Sequence, residues 1–179
     1  MDNGKNININ EKEAEILDRM VNHEPYLKKM SNEELIDIFN KFENYDEVST
    51  ALTELSIRDK YVIIPLCQKI FTENLGDEFL QAVAFNLLYD GDREKAIKMV
   101  DTIVEQVPAI VLGSIMDNLS TDSLQEFGRT LSIKILQSIV NRYIDLSETE
   151  KEKVSENWKW FKESYQDKLS NEVLNEKGI

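Results

Sequence analysis

Apolar residues in this chain return to the same place every 32 residues. Leu35, Cys67, Met99 and Leu131 form one such series, and Phe39, Phe71, Ile103 and Ile135 a second. Val48, Leu80 and Leu112 form a third, Ala51, Val83 and Ile115 a fourth, and Leu55, Leu87 and Leu119 a fifth. The first two series fall on one predicted helix of each unit and the last three on the next, as apolar stripes with helical spacing. Thirty-two residues are nearly nine helical turns, so any all-helical chain stays roughly in phase at this distance. A loop resets that phase, and loops recur here too. Glu43-Asn44-Tyr45-Asp46, Asn74-Leu75-Gly76-Asp77 and Val107-Pro108 stand at matching points. A two-helix unit at this period predicts an all-α fold, a short α-solenoid of about eight antiparallel helices.

The boundaries follow from caps and breakers. Residues 1–10 read as a flexible N-terminus and 11–179 as a single helical-repeat domain, whose first helix covers 11–22 with Ile16, Leu17, Met20 and Val21 on one face. Ser31 with Glu34, and Ser147 with Glu150, are capping boxes. Helices are predicted over about 46–57, 61–73, 77–89, 93–106 and 108–119, with Gly91 as a stop and Pro108 at a first helical position. Thr121 or Asp122 is expected to cap a longer helix to about 144, and a last helix runs from 148 to about 169. The predicted core includes Leu35, Phe39, Phe71, Leu80, Val83, Leu87, Met99, Ile103, Ile115 and Leu119.

Composition narrows the function. The 179 residues carry a net charge of -13, which opposes nucleic acid and suits a basic protein partner. Apolar content of 41% is enough for a core, and 31% charged residues with 3 Pro and 6 Gly favour helix over disorder. No run approaches a membrane span, and Met1-Asp2-Asn3-Gly4-Lys5 leads into no apolar segment. A cytoplasmic protein with no membrane contact is expected. Cys67 stands in an apolar run and reads as a small buried hydrophobe. His23 has no nucleophile in its neighbourhood, Asp90-Gly91-Asp92 does not continue into a calcium loop, and Gly is too sparse for a phosphate loop. No enzyme, metal or cofactor is therefore expected.

Polar residues repeat as well. Glu54, Asn86 and Asn118 recur at 32 residues, as do Arg58, Asp90 and Asp122. Each pair lies four apart, on one helix face, so Glu54/Arg58, Asn86/Asp90 and Asn118/Asp122 make parallel rungs that could hold a partner's backbone or pack neighbouring helices. Two aromatic sites join them. If Leu80, Val83 and Leu87 face the core, Phe85 and Tyr89 turn away from it. Trp160 is roughly 200° around its helix from Trp158. Glu54, Arg58, Phe85, Asn86, Tyr89, Asp90, Asn118, Asp122 and Trp160 are the expected partner-binding residues.

Val62-Ile63-Ile64-Pro65 with Asp77 and Ala82 to Leu88 resembles a HEAT repeat, and Gly91-Asp92-Arg93-Glu94-Lys95-Ala96 with Pro108 resembles the second half of a tetratricopeptide repeat. Each resemblance covers about 30 residues, and the other units lack both motifs. Either one implies that the helices over 46–57, 77–90 and 109–119 line the inner surface. An Asn ladder there is similar to that of armadillo-type solenoids. In size, charge and architecture the chain resembles the immunity proteins of bacterial toxin systems, which bind and block a cognate, often basic, toxin domain. That resemblance implies a non-enzymatic protein-binding module of this kind. The alternative is a helical-repeat scaffold or regulatory adaptor that binds peptide motifs.

Overall fold

The structure, a computed structural model, describes residues 26–169. The predicted helix over 11–22, the segment 1–10 and His23 lie outside the described residues. Among the described residues there are ten helices and no strand. They are α1 (Asn32–Lys41), α2 (Tyr45–Arg58), α3 (Lys60–Thr72), α4 (Glu78–Gly91), α5 (Arg93–Ile103), α6 (Ala109–Asp122), α7 (Glu126–Thr130), α8 (Ile133–Asp145), α9 (Glu148–Lys153) and α10 (Ser155–Ser164).

Local chemistry explains most of the starts. In both predicted capping boxes the Ser hydroxyl accepts from the Glu backbone N–H, at 3.2 Å for Ser31 and 3.4 Å for Ser147. The Glu carboxylate accepts in return from the Ser N–H, at 2.7 and 2.9 Å. Asn44, Asp59, Asp77 and Asp92 cap α2 to α5 through side-chain oxygens.

Two predicted helices are broken. Asp122 ends α6 instead of opening a new helix. A turn follows, closed by the Gln125 N–H donating to the Asp122 carbonyl at 2.8 Å. Gly128 lies so close to that carbonyl that any Cβ would collide with it, so the turn depends on glycine there. Leu131 and Ser132 are then extended, and Ser132 caps α8. Lys168 locks this insertion from far along the chain, donating to the carbonyls of Gly128, Arg129 and Leu131. The last predicted helix is interrupted at Val154, whose φ of -122° lies outside the helical range.

The helices arrange themselves by neighbour. α2, α4, α6 and α10 touch one another in that order. α1 packs on α2, α3 on α2 and α4, α5 on α4, and α8 on α5 and α6. Paired residues ascend together, Asn86 with Asn118 and Tyr89 with Asp122, so α4 and α6 run parallel. Gly113 beside Val154 and Asp117 beside Asn157 do the same for α6 and α10. Gly113 is buried there, and a Cβ on it would come 3.1 Å from Val154 Cγ1, so its lack of a side chain permits the close approach.

One continuous core runs from Leu27 to Leu169. Leu35, Phe39, Leu80, Ile115 and Leu119 are fully inside it, and Phe71, Leu87, Met99 and Ile103 pack half-buried against it. Val83 is half-exposed.

Cys67 is buried, as its apolar neighbours require, and loss of hydration pushes its thiol up to about 12 from 9.0. At pH 8 its thiolate population should be about a thousandfold below that of a free thiol. Iodoacetamide labelling should therefore be slow in the native protein and fast in urea. Equal rates in both would place Cys67 at the surface.

Candidate protein-binding face

Three helices of 14 residues each carry the face, and their starts at Tyr45, Glu78 and Ala109 are 33 and then 31 residues apart. The mean is the 32 of the sequence, but the middle helix is displaced by one residue. One residue is 100° of helix, so the displacement decides which side of α4 is inside. Val48, Ala51, Leu52 and Leu55 are buried in α2, and the equivalent residues of α4 are Gln81, Ala84, Phe85 and Leu88. In α6 they are Leu112, Ile115, Met116 and Leu119. All twelve are buried.

This overturns the expected exposure of Phe85 and Tyr89. Phe85 is fully buried and Tyr89 only 2% exposed. A uniform 32-residue register had turned α4 the wrong way. Asp122 is also inside, at 2% exposure. Its Oδ2 accepts from the Tyr89 hydroxyl at 2.8 Å and lies 3.0 Å from Arg93 Nε. The Arg93 guanidinium sits over the Tyr89 and Phe127 rings. Burial first, and the hydrogen bond to Asp122 second, hold the Tyr89 phenol well above its ordinary range. These four residues tie α4, α5, α6 and α7 together, so Tyr89 and Asp122 serve the fold.

Glu54 and Arg58 pair with each other at 2.8 Å, as their spacing suggested, but both are partly buried. Arg58 also donates to the carbonyls of Leu27, Lys28 and Met30, fastening the first turn to α2. The Asn pair does meet. Asn118 Nδ2 donates to Asn86 Oδ1 at 2.7 Å, joining α6 to α4. One seam along, Asn157 Nδ2 donates to Asp117 Oδ2 at 2.7 Å, joining α10 to α6. The amide rungs are thus seams between parallel helices. Asn86 and Asp90 remain exposed beside them, and Trp160, 45% exposed, flanks Asn157 on α10.

The outward stripe of α2 is Asp46, Thr50, Thr53 and Ile57, that of α4 is Phe79, Val83, Asn86 and Asp90, and that of α6 is Ile110, Ser114, Asp117 and Thr121. Each is exposed or half-exposed, and none is Lys or Arg in a chain that has 21 of them. Across the whole of α2, α4 and α6 stand seven carboxylates and one basic residue, the tethered Arg58. The helices behind them are mixed: α1, α3, α5 and α8 hold eight basic residues and six carboxylates. Basic residues are therefore concentrated on one of the two rows, while carboxylates occur on both. Phe79, at 62% exposure, and Asp117 are members of the face that the uniform register did not find. The caps could have found them: Asn44, Asp77 and Pro108 already stand 33 and 31 residues apart.

The face is shallow. A hollow against it, lined by Leu27, Lys28, Thr50, Thr53, Glu54 and Ile57, measures about 110 Å³, well under the several hundred of a small-molecule site. A larger apolar groove of about 260 Å³, lined by Ile97, Phe127, Leu131 and Ile135, lies on the other row. Among the described residues no group of three His, Cys, Asp or Glu side chains is placed to hold a metal ion, and no helix is long and apolar enough to cross a membrane. No protein family, no curated protein and no solved structure matches the chain.

Proposed function

We propose that this protein is a non-enzymatic, solenoid-like helical-repeat module that binds a basic protein through α2, α4 and α6, and most specifically an immunity protein that blocks a cognate toxin domain. The observation that carries the reading is the placement of the basic residues. The row behind holds eight of them, whereas α2, α4 and α6 hold only the tethered Arg58, so the exposed Asp46 and Asp90 give this side a negative field. Three helices of equal length and parallel amide seams support the solenoid reading. A shallow face with little cavity suits a protein surface better than a small ligand.

The test is co-purification with the product of an adjacent gene, followed by kinetics. The expected dissociation constant is nanomolar or tighter, on the order of -12 kcal/mol or more. Raising ionic strength from about 0.05 to 0.5 M should slow association roughly tenfold while dissociation changes little. An association rate flat across that range would remove charge steering from the account. Micromolar binding to several unrelated short motifs would favour the adaptor instead.

A further inference from the structure

Phe79 is an expensive residue to leave in water, and nothing in its own helix calls for it. It stands just inside the N-terminus of α4, where Asp77 already supplies the cap by accepting from Leu80 N–H at 2.9 Å. One turn on, Val83 is half-exposed on the same stripe, and Ile110 occupies the position equivalent to Phe79 on α6. Three apolar side chains thus gather on the outward side of the N-terminal halves of two parallel helices. Asp46 on α2 holds the equivalent position on the far side, and Asp117 and Asp90 lie further along the stripes. Lys153, a nearby cation, is engaged by Glu78 at 3.6 Å, and Lys28 lines the hollow beside α2. On the opposite side α4 is covered by α3 and α5, and among the described residues this ridge is uncovered.

A ridge of residues spaced four and three apart accepts the groove of another helix. Apolar residues within it supply area, and carboxylates around it select against an acidic partner. The geometry points to a docking site centred on Phe79 for a cationic amphipathic helix of the partner, a segment with large apolar residues along one side and Lys or Arg on its flanks. This deepens the protein-binding reading and rests on it. Phe79 is the anchor, Val83 and Ile110 its flanks, and Asp46 and Asp90 the charges that hold the partner's cations. The amide seams keep α4, α6 and α10 in register beneath it.

The probe is a synthetic amphipathic helix built only of Lys and Leu, compared with the same peptide in which Glu replaces every Lys, each titrated by fluorescence anisotropy against the full chain. The cationic peptide should bind at least tenfold more tightly than the anionic one. Phe79→Ser should weaken it about tenfold, the scale of an interfacial anchor, with the thermal midpoint unmoved because the side chain is exposed. Tyr61→Ser and Leu124→Ser remove equally exposed side chains outside the three stripes and should leave binding unchanged. Equal losses in all three variants, or none in Phe79→Ser, would overturn the docking site while leaving the basic-partner reading intact. Equal affinity for the two peptides would overturn both. An Asp46→Lys, Asp90→Lys double variant supplies a second readout, since it should weaken the cationic peptide and strengthen the anionic one.

Discussion

Replacing Phe85 with Ala should remove roughly 3–5 kcal/mol of stability, the range for truncating a fully buried aromatic side chain. The ring has no exposed surface and lies beside Tyr89, with ring centres 6.0 Å apart. Its loss would leave a cavity among α2, α4 and α6, which contact one another in that order and have little freedom to collapse. Val83→Ala, two residues away, should cost under about 1 kcal/mol because Val83 is partly exposed and stands outside the core cluster. The two variants together read the phase of α4. A strict 32-residue register makes Val83 the core residue and Phe85 the surface one, so it predicts the reverse order. Urea midpoints at unchanged m-value decide between them. Near-equal midpoints, or a lower one for Val83→Ala, would refute the displaced register and with it the position of the face.

The second large effect concerns Arg93. Asp122 is a carboxylate at the C-terminal end of α6, where the helix dipole opposes a negative charge, and it is shut away from water. Arg93 offsets both penalties through its Nε at 3.0 Å. Arg93→Leu should therefore cost roughly 3 kcal/mol, the lower end for breaking a buried pair, because Arg93 itself is 44% exposed and water can partly replace it. A control isolates the cause. Asp122→Asn keeps an acceptor for the Tyr89 hydroxyl, so the double variant Arg93→Leu, Asp122→Asn should regain a good part of the loss. If the double variant is no more stable than Arg93→Leu alone, the stranded charge is not the cause. The lost packing of the guanidinium over Tyr89 and Phe127 would then be the better explanation.

Much of the architecture was legible before any coordinates. The all-α class follows from stripes with helical spacing and from the scarcity of breakers. Both Ser–Glu capping boxes form as their spacing requires, because a capping box needs only residues within one turn of each other. Cys67 and Trp158 are buried and Trp160 is exposed, since neighbouring positions on a helix point in different directions. The pairing of Asn86 with Asn118 was also visible in the repeat, although it joins two helices of the same chain.

The candidate binding residues were less legible. Glu54, Arg58, Phe85, Tyr89 and Asp122 belong to the recurring polar and aromatic set, yet each works inside the protein, through burial or through bonds to its own chain. Asn86, Asp90, Asn118 and Trp160 keep exposed or half-exposed surface. Phe79 and Asp117 join them once α4 is turned by its one-residue displacement.

What this chain determined by itself is whatever depends on near neighbours: the helices, their caps, the mean spacing of the units, and the net charge. Those properties rest on hydrogen bonds and side-chain directions within a few residues, and any local pattern records them. Only the tertiary structure decided which side of α4 is core, although the cap spacing records its one-residue displacement, and where the chain breaks after Asp122. Both depend on how one helix seats against others distant in sequence, where 100° of rotation exchanges core for surface. The scarcity of basic residues on α2, α4 and α6 is of the same kind, because it makes a face only once the two rows are assembled.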